Sequence, residues 1–171
     1  MGKGLPRSRK DRGLIKKVIK LTNKSVAVAD EAATTGYASV LVHTFPEGFV
    51  KFEGAHVQMG IELDAAGVNA DWDGDISVGT VASDNTAAPL ASTEADFVPN
   101  TAIPQAVASV TTATAVSTAT ETGVFHDGST TPVPVYLNFK IDDADQDVTT
   151  TPTNLLLTGS VTIWYQEMGD V

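Results

Sequence analysis

Asp142, Asp143, Asp145 and Asp147 crowd into one short stretch, and Asp71, Asp73 and Asp75 alternate in DWDGD. Carboxylates at such spacing could serve calcium, which takes roughly six to eight oxygen ligands. An EF-hand loop further needs Gly at its sixth position and Glu at its twelfth. Counted from Asp71, those positions hold Ile76 and Ala82, so the motif fails. Counted from Asp142, the third, fifth and sixth positions hold Ala144, Gln146 and Asp147, a poorer match. Asp71, Asp73 and Asp75 are the metal candidates, with a solvated turn as the plainer reading. The later cluster reads as an acidic loop between two strands, and no cofactor is implied.

Nucleophilic chemistry has little to draw on. There are no cysteines, which excludes structural disulfides and thiolate metal sites. The absence fits assembly in a reducing compartment. The histidines are His43, His56 and His126, and no GxSxG, P-loop or GxGxxG motif accompanies them. His126-Asp127-Gly128-Ser129 holds the residue types of a hydrolase triad, but neighbours on one turn seldom converge in the required geometry. The many acids offer too many carboxylate pairs to mark a glycosidase. The expectation is a non-enzyme with no catalytic residue.

Charge is sharply divided. Residues 1–24 hold nine of the eleven Lys and Arg against one acid, Asp11, a net +8. The remainder holds Lys51 and Lys140 against twenty acids, a net −18. Arg7, Arg9, Lys10, Arg12, Lys16, Lys17, Lys20 and Lys24 are therefore the partner-binding candidates, suited to an acidic protein surface. The acidic remainder would repel phosphates, so no direct nucleic acid is expected. Lysines interrupt the apolar residues at 14–21, and no other window has the length or purity of a signal peptide core or a spanning helix, so no membrane segment is expected.

The elements that must position these residues are strands. SVAVAD (25–30), ASVLVHTF (38–45), FVKFEGAHVQMGIEL (49–63), DISVGTVAS (75–83), VPVYLNFKID (133–142) and NLLLTGSVTIWYQE (154–167) are rich in β-branched and aromatic residues and separated by turn-forming clusters. Gly54 marks a bulge or turn. Residues 14–21, LIKKVIKL, permit a short basic amphipathic helix or a docked strand. The Ala/Thr-rich excursion around 93–123 should contribute one or two strands and contact a neighbouring subunit, with a short helix possible from Pro104. The expected fold is all-β, an antiparallel β-sandwich or jelly roll spanning 25–171, with an extended basic N-terminal arm at 1–24. Trp164 is expected in the core. Trp72, between two aspartates, could anchor its loop, or stand exposed and stack on a sugar.

The ending VYLNFKIDDADQDVTTTPTNLLLTGSVTIWYQEMGD, together with DGDISVGTVAS, resembles the final strands of head decoration (auxiliary or cement) proteins of tailed double-stranded DNA bacteriophages. That resemblance implies a small β-sandwich, often trimeric, on the outer capsid surface of a virion. There it would clasp the major capsid protein and stabilise the shell. A receptor- or carbohydrate-binding module of a tail or spike, using Trp72, is the alternative.

Overall fold

The computed structural model describes residues 13–32, 35–64, 70–83, 89–118, 122–142 and 154–169. Among the described residues ten strands form: β1 (Ile15–Ala27), β2 (Ala29–Ala32), β3 (Thr35–Thr44), β4 (Phe49–Leu63), β5 (Asp73–Gly79), β6 (Val98–Ile103), β7 (Val110–Val116), β8 (Phe125–Asp127), β9 (Pro134–Asp142) and β10 (Asn154–Gly169). A single 3₁₀ turn, Ser92–Glu94, is the one helical element among the described residues.

The strands follow from period-two apolar patterning. On β9, Val135, Leu137, Phe139 and Ile141 point inward and are fully buried. On β10, Leu155, Leu157, Val161, Ile163 and Tyr165 do the same. The inward set of β4 changes parity, from Val50 and Phe52 to Ala55, Val57, Met59, Ile61 and Leu63. A bulge absorbs the change: Tyr165 of β10 faces Phe52, while the preceding Trp164 faces Gly54, leaving Glu53 as the extra residue.

Two antiparallel sheets result. One runs β1-β10-β4-β7, with β8 added along β4; the other runs β2-β3-β9-β5-β6. The pairs β1·β10, β3·β9, β4·β7 and β5·β6 are nested, early strands with late ones. Successive pairs alternate between the sheets, so the chain is one long antiparallel ribbon wrapped around a common core. Aromatic edge-to-face contacts fill one end of that core, Phe45 to Tyr165 at 4.9 Å and Phe45 to Phe97 at 5.7 Å between centroids.

Several local expectations change. Residues 15–24, grouped with the arm, are the first part of β1, so the boundary at 24 falls within a strand. Of the two readings of 14–21, strand holds from Ile15 onward, because Ile15, Ile19 and Leu21 find the core by alternation along β10. No helix starts at Pro104. Its surroundings bond elsewhere: Ala106 N–H donates to Trp72 O, Ser109 N–H to Ala70 O, and the Thr111 hydroxyl to Pro104 O. The excursion does supply two strands, β6 and β7. β9 and β10, strongest by pattern, lie in different sheets; the stretch 143–153 between them, expected as an acidic loop, lies outside the described residues.

Candidate interaction surface

β1 is the most basic described element and, among the described residues, an edge strand, paired with β10 on one side only. Lys16, Lys17, Lys20 and Lys24 are all exposed on it. Lys16, Val18 and Lys20 lie opposite Trp164, Thr162 and Ser160, which sets them on the outer face of the sheet. The Lys16 ammonium stands 5.9 Å from the Trp164 ring centroid, within cation–π range. Lysines on an open edge also discourage stray strand pairing. Arg7, Arg9, Lys10 and Arg12 lie outside the described residues.

The only two basic residues after Lys24 are both spoken for. Lys51 Nζ meets Glu53 Oε1 at 2.7 Å, and Lys140 Nζ meets Asp142 Oδ2 at 3.1 Å. The remaining acidity is therefore largely uncompensated from within.

Asp71, Asp73 and Asp75 are not gathered into a ligand set. Asp73 faces Asp142 and Asp75 faces Lys140 across the β5–β9 ladder, while Asp71 sits in the turn before β5 and accepts a long 3.5 Å bond from Gln105 Nε2. Among the described residues no group of three or more His, Asp or Glu side chains could hold a metal ion. Asp143, Asp145 and Asp147 lie outside the described residues.

The His126 turn is built differently from a triad. Asp127 Oδ1 accepts from both the backbone N–H (2.9 Å) and the hydroxyl (2.5 Å) of Ser129, which closes the turn and holds the Asp127 carboxyl below its usual range. His126 points the other way, edge-on to Phe97 at 4.9 Å, and its Nε2 is buried without a hydrogen-bond partner among the described residues. Burial pushes its pKa down, opposed by the Asp96 carboxylate. Asp96 itself is raised by burial, although Thr80 donates to it from both N–H and hydroxyl at 2.8 Å. His43 is lowered by burial and then by Lys17; its ring packs on Phe45 and Tyr165.

Trp164 departs from its expected place, and of the two readings of Trp72 the tucked-in anchor holds. Trp164 is on the outer face, laid over Gly54, because Tyr165 takes the inward position. Trp72 is 1% exposed and belongs to the core. It offers no face to a sugar, so the carbohydrate module loses its stacking platform.

Two surface features carried no signal in the sequence. The outer face of β4, β7 and β10 has a shallow groove of about 390 Å³, lined by Gln58, Thr112, Thr114, Thr158 and Ser160 around Gly60. The other is the tight turn Val107–Val110, with Val107 N–H bonded to Val110 O (3.0 Å) and Val110 N–H to Val107 O (3.2 Å). Ala108 and Ser109 adopt positive φ, 53° and 69°. This is the type I′ arrangement that Asn-Gly usually marks, and that residue signal is missing. Val107 is 80% exposed.

No protein-family model matches the chain, and no curated protein matches it. Among solved structures, a chain of the capsid asymmetric unit of cyanophage Pam1 is similar over 98% of this chain and 94% of its own, at 16% identity and a TM-score of 0.34. A chain of desmodium yellow mottle tymovirus is similar over 98% of this chain and 96% of its own, at 14% identity and a TM-score of 0.38.

Proposed function

We propose that the chain is a non-enzymatic structural protein of a virion, which binds the outside of an assembled capsid through the major capsid protein and stabilises the shell, as decoration proteins do. The observation that carries this reading is the division of charge in the folded chain. A basic terminal stretch runs straight into a lysine-bearing edge strand, while the rest of the body is acidic and uses its own two bases internally. A basic extension that orders on binding can wrap across subunit seams. Several such extensions on one oligomer, a trimer in this reading, add avidity without tight single contacts.

Two further features support it. The nested pairing within a two-sheet sandwich is in keeping with a jelly roll, an architecture used by viral capsid proteins, lectins and cupins. The resemblance of residues 135–170 to decoration proteins selects among these, and the burial of Trp72 weighs against the sugar-binding use.

The test is co-sedimentation with emptied, otherwise undecorated shells. The full chain should pellet with shells, and a chain starting at residue 14, which lacks Arg7, Arg9, Lys10 and Arg12 but keeps β1, should bind at least about tenfold more weakly, as befits loss of several charge contacts. Equal binding by the two would remove the terminal stretch from the interface. No binding by either would overturn the role.

A further inference from the structure

The Val107–Val110 turn is a rigid apolar knuckle. Two mutual backbone bonds close it, and Ser109 ties it to both neighbouring segments, donating from N–H to Ala70 O at 2.8 Å and accepting at its carbonyl from Leu63 N–H at 3.2 Å. Val107 and Val110 stay 80% and 47% exposed, although residues with less apolar surface would satisfy a solvent-facing turn equally well. Left-handed backbone at two non-glycine residues is strained, a cost found where geometry serves a contact. Around the knuckle the exposed charges are acidic. Glu62 lies directly across from Val110, Asp64 follows the residue bonded to Ser109, and Asp71 follows Ala70.

A complementary surface exists on the same chain. The outer row of β1 places Val18, 44% exposed, between Lys16 and Lys20, and Leu14, 59% exposed, just before the strand. One surface is apolar with an acidic surround; the other is apolar with basic flanks. They cannot meet within one molecule. Val110 lies level with Ser25 at one end of the sheet, and Val18 lies level with Val116 at the other, on opposite edge strands. The separation is about 14 Å across the sheet and roughly 20 Å along it.

We infer that the Val107–Val110 knuckle of one copy docks on the Leu14–Lys20 row of β1 in the next, joining copies head to tail. Self-paired arrangements are disfavoured by charge, since knuckle on knuckle sets acids against acids and β1 on β1 sets lysines against lysines. Only the heterologous pairing joins opposite signs, and such contacts close into rings when the rotation allows. The inference rests on the proposed role and deepens it: the β1 row is occupied by a second copy, which leaves residues 1–13 for the shell.

The chain has no cysteine, so introduced thiols report cleanly. Chains carrying Val107→Cys, mixed with chains carrying Val18→Cys under mild oxidation, should give mixed disulfide dimers several-fold above the yield of either alone. In sedimentation equilibrium the full chain should exceed single-chain mass. Val107→Asp should return it to single-chain mass with an unchanged melting curve, whereas Val81→Asp, also on an exposed valine, should not. A full chain of single-chain mass at every concentration, or Val107→Cys chains that cross-link to themselves as readily as to Val18→Cys chains, would overturn the inference. Shell binding by single chains would sink the head-to-tail contact alone; self-association without shell binding would sink the virion role alone.

Discussion

His126 invites a catalytic reading by its neighbours in sequence and is instead held by packing. Its ring lies against Phe97, its Nε2 has no partner among the described residues, and its pKa is pushed down by burial. The sign for stability follows. Below about pH 6.5 the unfolded chain takes up a proton that the folded His126 resists, so stability is lost as pH falls through that value. His43, also lowered, acts in the same direction. Asp96, raised by burial, binds its proton more tightly when folded, so its contribution builds as pH falls toward its ordinary 3.8, is fully present below it, and is lost as pH rises through the folded value. His126→Leu should therefore flatten the fall in melting temperature between pH 7 and pH 5, leaving the part due to His43. An unchanged slope, measured by thermal melts across pH, would contradict this. None of it was legible in HDGS, because which way a ring turns depends on Phe97 and Asp96, far away in the chain. Trp72 carries the same lesson: its neighbours left both exposure and burial open, and the core took it.

At the scale of elements, β1 decides how the basic terminus can be studied. Ile15, Ile19 and Leu21 pack on the core, and β1 covers one edge of β10 along most of its length. Beginning the chain at residue 25 would strip these contacts along with the lysines. Burial of such side chains is worth up to about 1.5–3 kcal/mol each, and these three are partly buried. We expect a chain starting at 14 to melt within about 2 °C of the full length. A chain starting at 25 should lose roughly 10 °C or more, at about 2–4 °C per kcal/mol for this size. Differential scanning calorimetry would show it, and equal melting of the two would mean that β1 is dispensable to the fold. The strand character of 14–21 was half legible. Its apolar residues fit either period, and only the presence of the β10 edge chose between them.

At the scale of the whole molecule, the formal charge of −10 is a poor guide to behaviour, because +8 and −18 are segregated along the chain rather than mixed. An interface made by the basic terminus should be screened by salt, since the Debye length falls from about 10 Å at 0.1 M to about 3 Å at 1 M. Shell binding should therefore weaken steeply between 50 and 500 mM salt, while the melting temperature of the free protein, which rests on an apolar core, should change little. Binding that is indifferent to salt would point to an apolar interface instead.

The sequence by itself determined the all-β character, the chief strands and the Gly54 bulge. These depend on period-two patterning and β-branched content, which are local properties. It also determined the division of charge, which is a property of composition. Only the tertiary structure decided the nesting of the pairs, the assignment of β9 and β10 to different sheets, the inward Trp72 and outward Trp164, and the apolar knuckle at Val107. Each depends on which distant strand lies alongside. The deciding contacts join residues such as Ile15 and Tyr165, far apart in the chain, whose pairing no local window contains.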